Sequence, residues 1–371
     1  MISPARPRSL AALPLLFSRR LSLLPLLLAP LASATADEIV IRRVFGPEVP
    51  GQYKHPSSIT ELTNGDLYLV YYGGSGEYGT DTAVWGARKP RGSDEWTMPE
   101  VIADTPFHTD GNAVIWQGPD ERVWLFYVTT YGETWSSSRI NGRFSADGAR
   151  TWSDPFMMTF EPGTMVRSHP IVLADGDWLL PIYHETGEDR EWVGPESTSL
   201  FLRCDPRTQR WTEMGRIRSA KGNIQPAVVE VRPGYLVAYC RRGGDYEPTT
   251  EGYLIRAQSH DGGRTWSEGR NSEFLNPNSA VDFIKLANGH LLLVYNDSMN
   301  DRTPLTVAIS TDGDQSYPHR RNLKEGRGSF AYPTAIQTAD GRIHVVFTSD
   351  QRTVVNHAVF DEAAILSHAA R

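Results

Sequence analysis

Six short polar stretches in this chain carry residues able to move protons or hold charge. They are Lys54-His55-Pro56, Asp110-Gly111-Asn112, Arg167-Ser168-His169-Pro170, Ile224-Gln225-Pro226, Asn276-Pro277-Asn278-Ser279 and Ala331-Tyr332-Pro333. A second set follows the first five in turn: Glu77 and Asp81, Tyr131 and Glu133, His184 and Glu185, Arg241 and Arg242, Asp301 and Arg302. Arginine forks grip carboxylates with two bonds. Carboxyl and imidazole groups pass protons near neutral pH, and a phenol stripped of its proton is a nucleophile. Cations, carboxylates, His and Tyr together suit a pocket for an anionic sugar.

These residues need a scaffold that gathers them from across the chain. Six copies of a turn followed by a short apolar strand supply one: NGDLYLVY at 64–71, DERVWLFY at 120–127, DGDWLLPIY at 175–183, PGYLVAY at 233–239, NGHLLLVY at 288–295 and DGRIHVVF at 340–347. The second turn residues recur every 52 to 58 positions. Strand-rich repeats of that length, six in number, predict an all-β, six-bladed β-propeller of four-stranded antiparallel blades. In such a fold the innermost strand of every blade starts on one face, and the second strand returns to it. The polar stretches fall at the first place and the second set at the other, so both line one axial mouth. Function tends to sit on loops held by a rigid frame.

A second marker keeps step: Trp96, Trp152, Trp211, Trp266 and Tyr317 follow the outer hairpins. Three sit in a box. Ser259-His-Asp261-Gly-Gly263-Arg-Thr265-Trp266 is the fullest, Ser145-Ala-Asp147-Gly-Ala-Arg-Thr151-Trp152 is close, and Ser310-Thr-Asp312-Gly-Asp-Gln-Ser316-Tyr317 is degenerate. Asp and Ser side chains there satisfy backbone donors of a tight turn, while the aromatic packs between blades. The box is therefore read as structural.

Composition agrees: 40% hydrophobic and 10% aromatic residues, with 32 glycines and 25 prolines among 371, describe a turn-rich, well-cored β protein. The N-terminus reads as a secretory signal over residues 1–36. Arg6, Arg8, Arg19 and Arg20 precede the apolar run 21–31, which is too short to span a bilayer, and small residues follow at Ala32-Ser33-Ala34 and Ala34-Thr35-Ala36. The propeller is expected over 37–361, a short helical tail over 362–371, and a secreted or periplasmic location. Those first 36 residues hold four Arg and no acid, so cleavage takes the net charge from −7 to −11. That balance argues against nucleic acid and against an anionic membrane surface as partners. No HExxH or Cys-x-x-Cys occurs, so no metal or other cofactor is expected. Asp245, Glu247 and Glu251 could hold calcium, but acidic surface loops of this kind are common. Cys204 and Cys240 could pair in an oxidising compartment. Oligomeric state is not written in the repeats.

The S-x-D-x-G-x-T-W boxes resemble the Asp-box, or BNR repeat, of the sialidase superfamily, and the resemblance covers nearly the whole chain after residue 36. It implies an arginine triad on the substrate carboxylate. Lys54 stands where the first arginine is expected, in Lys54-His55-Pro56. Arg241 or Arg242 matches the second, and Arg302 the third. Tyr332 matches the nucleophile. The glutamate that activates it is replaced by Gln225, a neutral group unable to take a phenol's proton, and Glu77 or Asp81 matches the acid/base. Lys54 keeps a cation but loses the fork.

Three readings follow. A glycoside hydrolase removing a terminal acidic sugar would use Tyr332, Glu77 or Asp81 as acid, and Lys54, Arg242 and Arg302 on the carboxylate. A lyase acting at a uronate would use His55, His169 and Tyr332. A non-catalytic glycan-binding or assembly propeller would use the same mouth. Asn112, Arg167, His169, Glu185, Arg241 and Asn278 are expected among the substrate contacts of that mouth, and Glu185 could supply the missing carboxylate. The substrate or ligand in all three is an anionic oligosaccharide or polysaccharide.

Overall fold

The computed structural model describes residues 38–368, so the expected leader lies outside the described residues. The strands form six antiparallel sheets arranged as a six-bladed β-propeller. Blade 1 runs through Tyr53–Glu61, Leu67–Gly74, Ala83–Lys89 and Glu100–Ala103. Blade 2 is Thr109–Gln117, Val123–Thr130, Ser138–Ser145 and Phe156–Met157. Blade 3 has a broken inner strand, Thr164–Val166 and Ile171–Val172, then Trp178–His184, Thr198–Asp205 and Arg210–Glu213. Pro170 lacks the donor that would continue the ladder across the break. Blade 4 is Asn223–Arg232, Tyr235–Arg242, Tyr253–Ser259 and Arg270–Leu275. Blade 5 is Asp282–Lys285, Leu291–Asn296, Leu305–Ser310 and His319–Lys324.

Blade 6 closes the ring. Its inner three strands are Ala331–Gln337, Ile343–Ser349 and Val354–Phe360, and its outer strand is the N-terminal Val40–Phe45, paired antiparallel with Val354–Phe360. The aromatic marker has five copies in sequence because the sixth outer strand comes from the other end of the chain.

The second strand of each blade is covered by neighbours on both faces, so it reads as a continuous apolar run instead of an alternating one. Every residue of Leu67–Gly74 and of Val123–Thr130 is buried. The five aromatic markers join the blades. Trp96 contacts His357, Trp152 Tyr68, Trp211 Phe126, Trp266 Phe201 and Tyr317 Phe274, each on the preceding blade. Trp266 stacks on Phe201 at 4.5 Å, a contact worth about 1 kcal/mol beyond its buried area.

The boxes are turn locks. Asp261 accepts from Thr265 N at 2.9 Å, Thr265 Oγ1 at 2.5 Å and Ser259 Oγ at 2.8 Å. Asp147 and Asp312 repeat the pattern. On the same face, inner-strand ends clasp neighbouring hairpins. Glu61 accepts from Ala339 N at 2.7 Å, Glu230 from Ala174 N at 2.6 Å and Gln337 from Ala287 N at 2.8 Å.

The helical tail is one turn, Ala363–Leu366, whose Ala364 and Ile365 join the core between blades 5 and 6. Cys204 and Cys240 are buried free thiols on different blades, so the pairing considered from sequence is not made. No helix among the described residues is long and apolar enough to cross a membrane.

Candidate active site

The inner strands of blades 1, 2, 4 and 6 each bulge at the same place. Their registers shift between Lys54 and Ser57, Gly111 and Val114, Ile224 and Ala227, and Ala331 and Thr334. The first residues inside the bulges are His55, Asn112, Gln225 and Tyr332. A bulge re-aims a side chain and breaks the two-residue period, and here it turns one polar side chain per blade toward the axis. Asn112, Gln225 and Tyr332 adopt left-handed backbone with φ of 44°, 54° and 55°, and Asn278 of blade 5 does the same at 59°. A non-glycine residue there costs on the order of 1 kcal/mol or more, and such strain collects at functional sites.

These residues share one cavity. His55, Glu77, Asn112, Glu185, Gln225, Arg241 and Tyr332 line it, together with Tyr72, Trp135, Tyr183, Tyr246 and Arg352. Arg241, from the end of a second strand, organises the floor. It donates from Nη1 to Tyr332 Oη at 2.7 Å and to Gln225 Oε1 at 3.3 Å, from Nε to Asn278 Oδ1 at 2.6 Å, and from Nη2 to Tyr246 Oη at 2.7 Å. Arg302 places its guanidinium 5.4 Å from the Tyr332 ring centre and 5.5 Å from that of Tyr246. Asn112 and Gln225 donate to Tyr183 Oη at 2.8 and 3.4 Å.

Arg352 completes the cationic wall, and sequence reasoning missed it. It sits in the loop after the second strand of blade 6, the one repeat in which that position was not read. There Asp350, Gln351 and Arg352 all take left-handed backbone. Arg352 Nη1 donates to Tyr53 Oη at 2.8 Å and pairs with Glu77, and Tyr53 donates to Glu77 at 2.9 Å.

Burial alone would raise the Tyr332 phenol, but the charges of Arg241, Arg302 and Arg352 outweigh it and hold the group below its ordinary value of 10. Glu185 goes the other way. Burial pushes its carboxyl up to about 7 against the pull of Arg241. The backbone of Gly163 holds Glu185 in place, accepting from Glu185 N at 2.8 Å. A Cβ at Gly163 would lie 2.3 Å from the Glu185 carbonyl oxygen, so only glycine permits that approach. Burial, then the charges of Arg352, Arg302, Arg167 and Arg241, keep the His55 imidazole neutral, well below its usual range.

Seven expected site residues do not line the cavity: Asn278 supports Arg241 from behind, Arg302 borders the groove outside, and five are engaged elsewhere. Lys54 precedes the bulge residue and points the other way, its Nζ donating to the Val49 and Gly51 carbonyls. Arg242 alternates with Arg241 and binds the Asn276 and Gly243 carbonyls. Asp81 caps its own loop through Ser75 N and Oγ. Arg167 lies beneath Tyr332, 5.5 Å from its ring centre, donating to Thr334 Oγ1 and the Pro333 carbonyl. His169 is 3.0 Å from Ser58 Oγ and lines a cavity of about 820 Å³ that Glu61, Glu230 and Gln337 also border, at the opposite ends of the inner strands.

The site is covered. The loop between Trp178–His184 and Thr198–Asp205 brings Glu185, Arg190, Glu191 and Val193 over the cavity, leaving about 30 Å³, room for a water or two. Arg190 donates to the Glu133 carbonyl at 2.7 Å and its carboxylate at 2.8 Å, and packs 4.4 Å from the Tyr78 ring centre. Val193 pairs with Gly244. Outside lies a groove of about 520 Å³ bordered by Arg302 and sharing Glu191, Tyr246 and Arg352 with the cavity. Among the described residues no group of three or more His, Cys, Asp or Glu could hold a metal.

Box-locked turns beneath six blades and an arginine–tyrosine floor across the axis define a BNR-repeat β-propeller. The chain belongs to the BNR repeat-like domain family, whose model matches residues 65–345. Among solved structures it is similar to a Hadza microbial sialidase, Hz136, at 17% identity and a TM-score of 0.70, covering 84% of this chain and 66% of that one. It is similar to a protein of unknown function from Dyadobacter fermentans at 15% identity and 0.70, covering 87% and 99%. It is also similar to an intramolecular trans-sialidase from Ruminococcus gnavus at 13% and 0.67, covering 87% and 97%. At these identities the likeness is one of fold. No curated protein sequence matches the chain.

Proposed function

We propose that the protein is a glycoside hydrolase that removes a terminal acidic sugar, of sialic or uronic acid type, from glycans outside the cytoplasm. One observation carries the reading: Tyr332 is buried in strained backbone, bonded by Arg241 and within the field of Arg302 and Arg352. Such a phenol is a nucleophile in waiting, and the cations around it match a carboxylate on the sugar. Arg302, at the junction of groove and cavity, meets that carboxylate first, with Arg241 and Arg352 deeper.

Glu185, its carboxyl raised to about 7, keeps a large share of its protons at neutral pH and serves as general acid to the leaving oxygen. Glu77, bonded to Arg352 and Tyr53, holds that arginine in place and is not assigned the acid role. Lys54 and Asp81, engaged elsewhere, have no part. Products from a panel of sialosides and uronides, identified by mass, test the reading. A product lighter by a water and absorbing in the ultraviolet would mean elimination instead, with the neutral His55 as its base.

A further inference from the structure

The bonds around Tyr332 leave one proton and one lone pair unmatched. Tyr332 Oη accepts from Arg241, and a guanidinium only donates, so that bond does not use the phenol's own proton. Gln225 turns its oxygen to Arg241 and its nitrogen to Tyr183. The His55 ring stands edge-on to Tyr332, with centres 4.1 Å apart. His55 Nδ1 lies 2.8 Å from Thr348 Oγ1. The Thr348 hydroxyl spends its proton on the Ala331 carbonyl, which only accepts. Thr348 therefore accepts from an Nδ1–H, and His55 Nε2 carries a bare lone pair. That nitrogen is buried without a hydrogen-bond partner, on a ring that lines the same cavity as Tyr332.

We propose that His55 Nε2 is the proton acceptor for Tyr332, doing from blade 1 what Gln225 cannot do from blade 4. The proposal rests on the hydrolase reading of the site. First, Nε2, which no direct hydrogen bond joins to Oη, takes the Oη proton through one bridging water for which the cavity has room, and the phenolate oxygen bonds to the anomeric carbon. The bond from that carbon to the leaving oxygen breaks, and the leaving oxygen takes the proton of Glu185. Second, the Glu185 carboxylate takes a proton from water, the water's oxygen bonds to the anomeric carbon, and the carbon–Oη bond breaks. His55 then returns its proton to Oη. One water is consumed per bond cleaved, and each protein group ends as it began.

Charged neighbours govern the base. Arg352, Arg302, Arg167 and Arg241 act on His55, Glu77 is paired with Arg352, and the rings of Tyr53 and Tyr72 pack 6.2 and 6.3 Å away. A carboxylate laid on the arginines offsets part of that positive field and strengthens the imidazole as a base. Substrate binding thus turns the base on.

Two experiments test this. Nitrogen NMR of the labelled protein, assigned with His55→Gln, reads the tautomer without any substrate. Nδ1–H with a bare Nε2 is expected, and Nε2–H overturns the proposal whatever the protein hydrolyses. On a substrate that is turned over, His55→Gln lowers kcat about 100-fold with little change in KM, the scale of a lost general base. Adding Gln225→Glu recovers about tenfold or more, since a carboxylate there can take the same proton. Parental kcat in His55→Gln, or a loss that Gln225→Glu does not repair, overturns the proposal. Full activity in Tyr332→Phe would remove the nucleophile reading beneath it.

Discussion

Tyr332 and Glu185 are two ionisable groups whose surroundings push them in opposite directions, and that divergence is the ground on which we propose them as nucleophile and acid. Glu185 must be protonated to serve a leaving group, and its carboxyl sits at about 7. Its acid form is present below that pH and lost above it. We therefore expect kcat to fall as pH rises through about 7, and Glu185→Gln to abolish this limb. The same variant should lose about 100-fold in kcat/KM on a glycan while largely sparing kcat/KM on a substrate with an activated aryl leaving group, whose departure needs no proton, although turnover of both slows at the second step, where Glu185 is the base. Equal losses in kcat/KM on both substrates would deny Glu185 the acid role. At this scale the sequence showed which pairs mattered more clearly than which member faced inward. Lys54 with His55, and Arg241 with Arg242, are adjacent residues whose directions differ, and the bulge that decides between Lys54 and His55 leaves no mark in the local pattern.

Among the elements, the hairpin turns and boxes were the most legible, because turn chemistry is local: Asp, Ser, Thr and Gly at fixed offsets close the same lock three times. The covering loop at 186–197 was not legible, since its place over the site depends on contacts with Glu133, Tyr78 and Gly244 far along the chain. A sugar does not fit in 30 Å³, so the proposed function requires the lining to open, and this loop is the part we expect to move. Its exposed Arg190–Glu133 pair contributes up to about 1 kcal/mol. Arg190→Ala should hasten amide exchange within 186–197 several-fold and leave the blades protected. Unchanged exchange in that segment would show that the pair does not hold the cover.

For the molecule as a whole, the period told the blade number, but not how the ring closes, because the closing strand Val40–Phe45 carries no repeat marker. The balance of buried ionisable groups sets a pH dependence that no single residue reveals. Buried neutral His55, His169, His344 and His357 have folded values below 6.5, so the unfolded chain binds more protons there and stability drops as pH falls from 6.5. Glu185, at about 7, and Asp110 and Asp282, both at about 6, have raised values. The native state takes up their protons over the same window, which restores stability. The carboxyls offset only part of what the four histidines lose, so the thermal midpoint should fall modestly from pH 7 to 5. Below about 3.8 it should drop, as Asp261 and Asp312, held at about 2, lose the stability their charged forms give. Calorimetry across pH checks this, and a midpoint that rises or stays level from 7 to 5 would contradict it.

The central claim is a Tyr332-dependent hydrolysis of an acidic sugar, and identifying the products tests it most directly. Residues 37–371 would be incubated with sialosides and uronides in water enriched in heavy oxygen, beside the Tyr332→Phe variant. We predict a free acidic sugar carrying the heavy oxygen from the parent, and about 100-fold less or none from Tyr332→Phe. An unsaturated product without heavy oxygen, or undiminished release by Tyr332→Phe, would contradict the account.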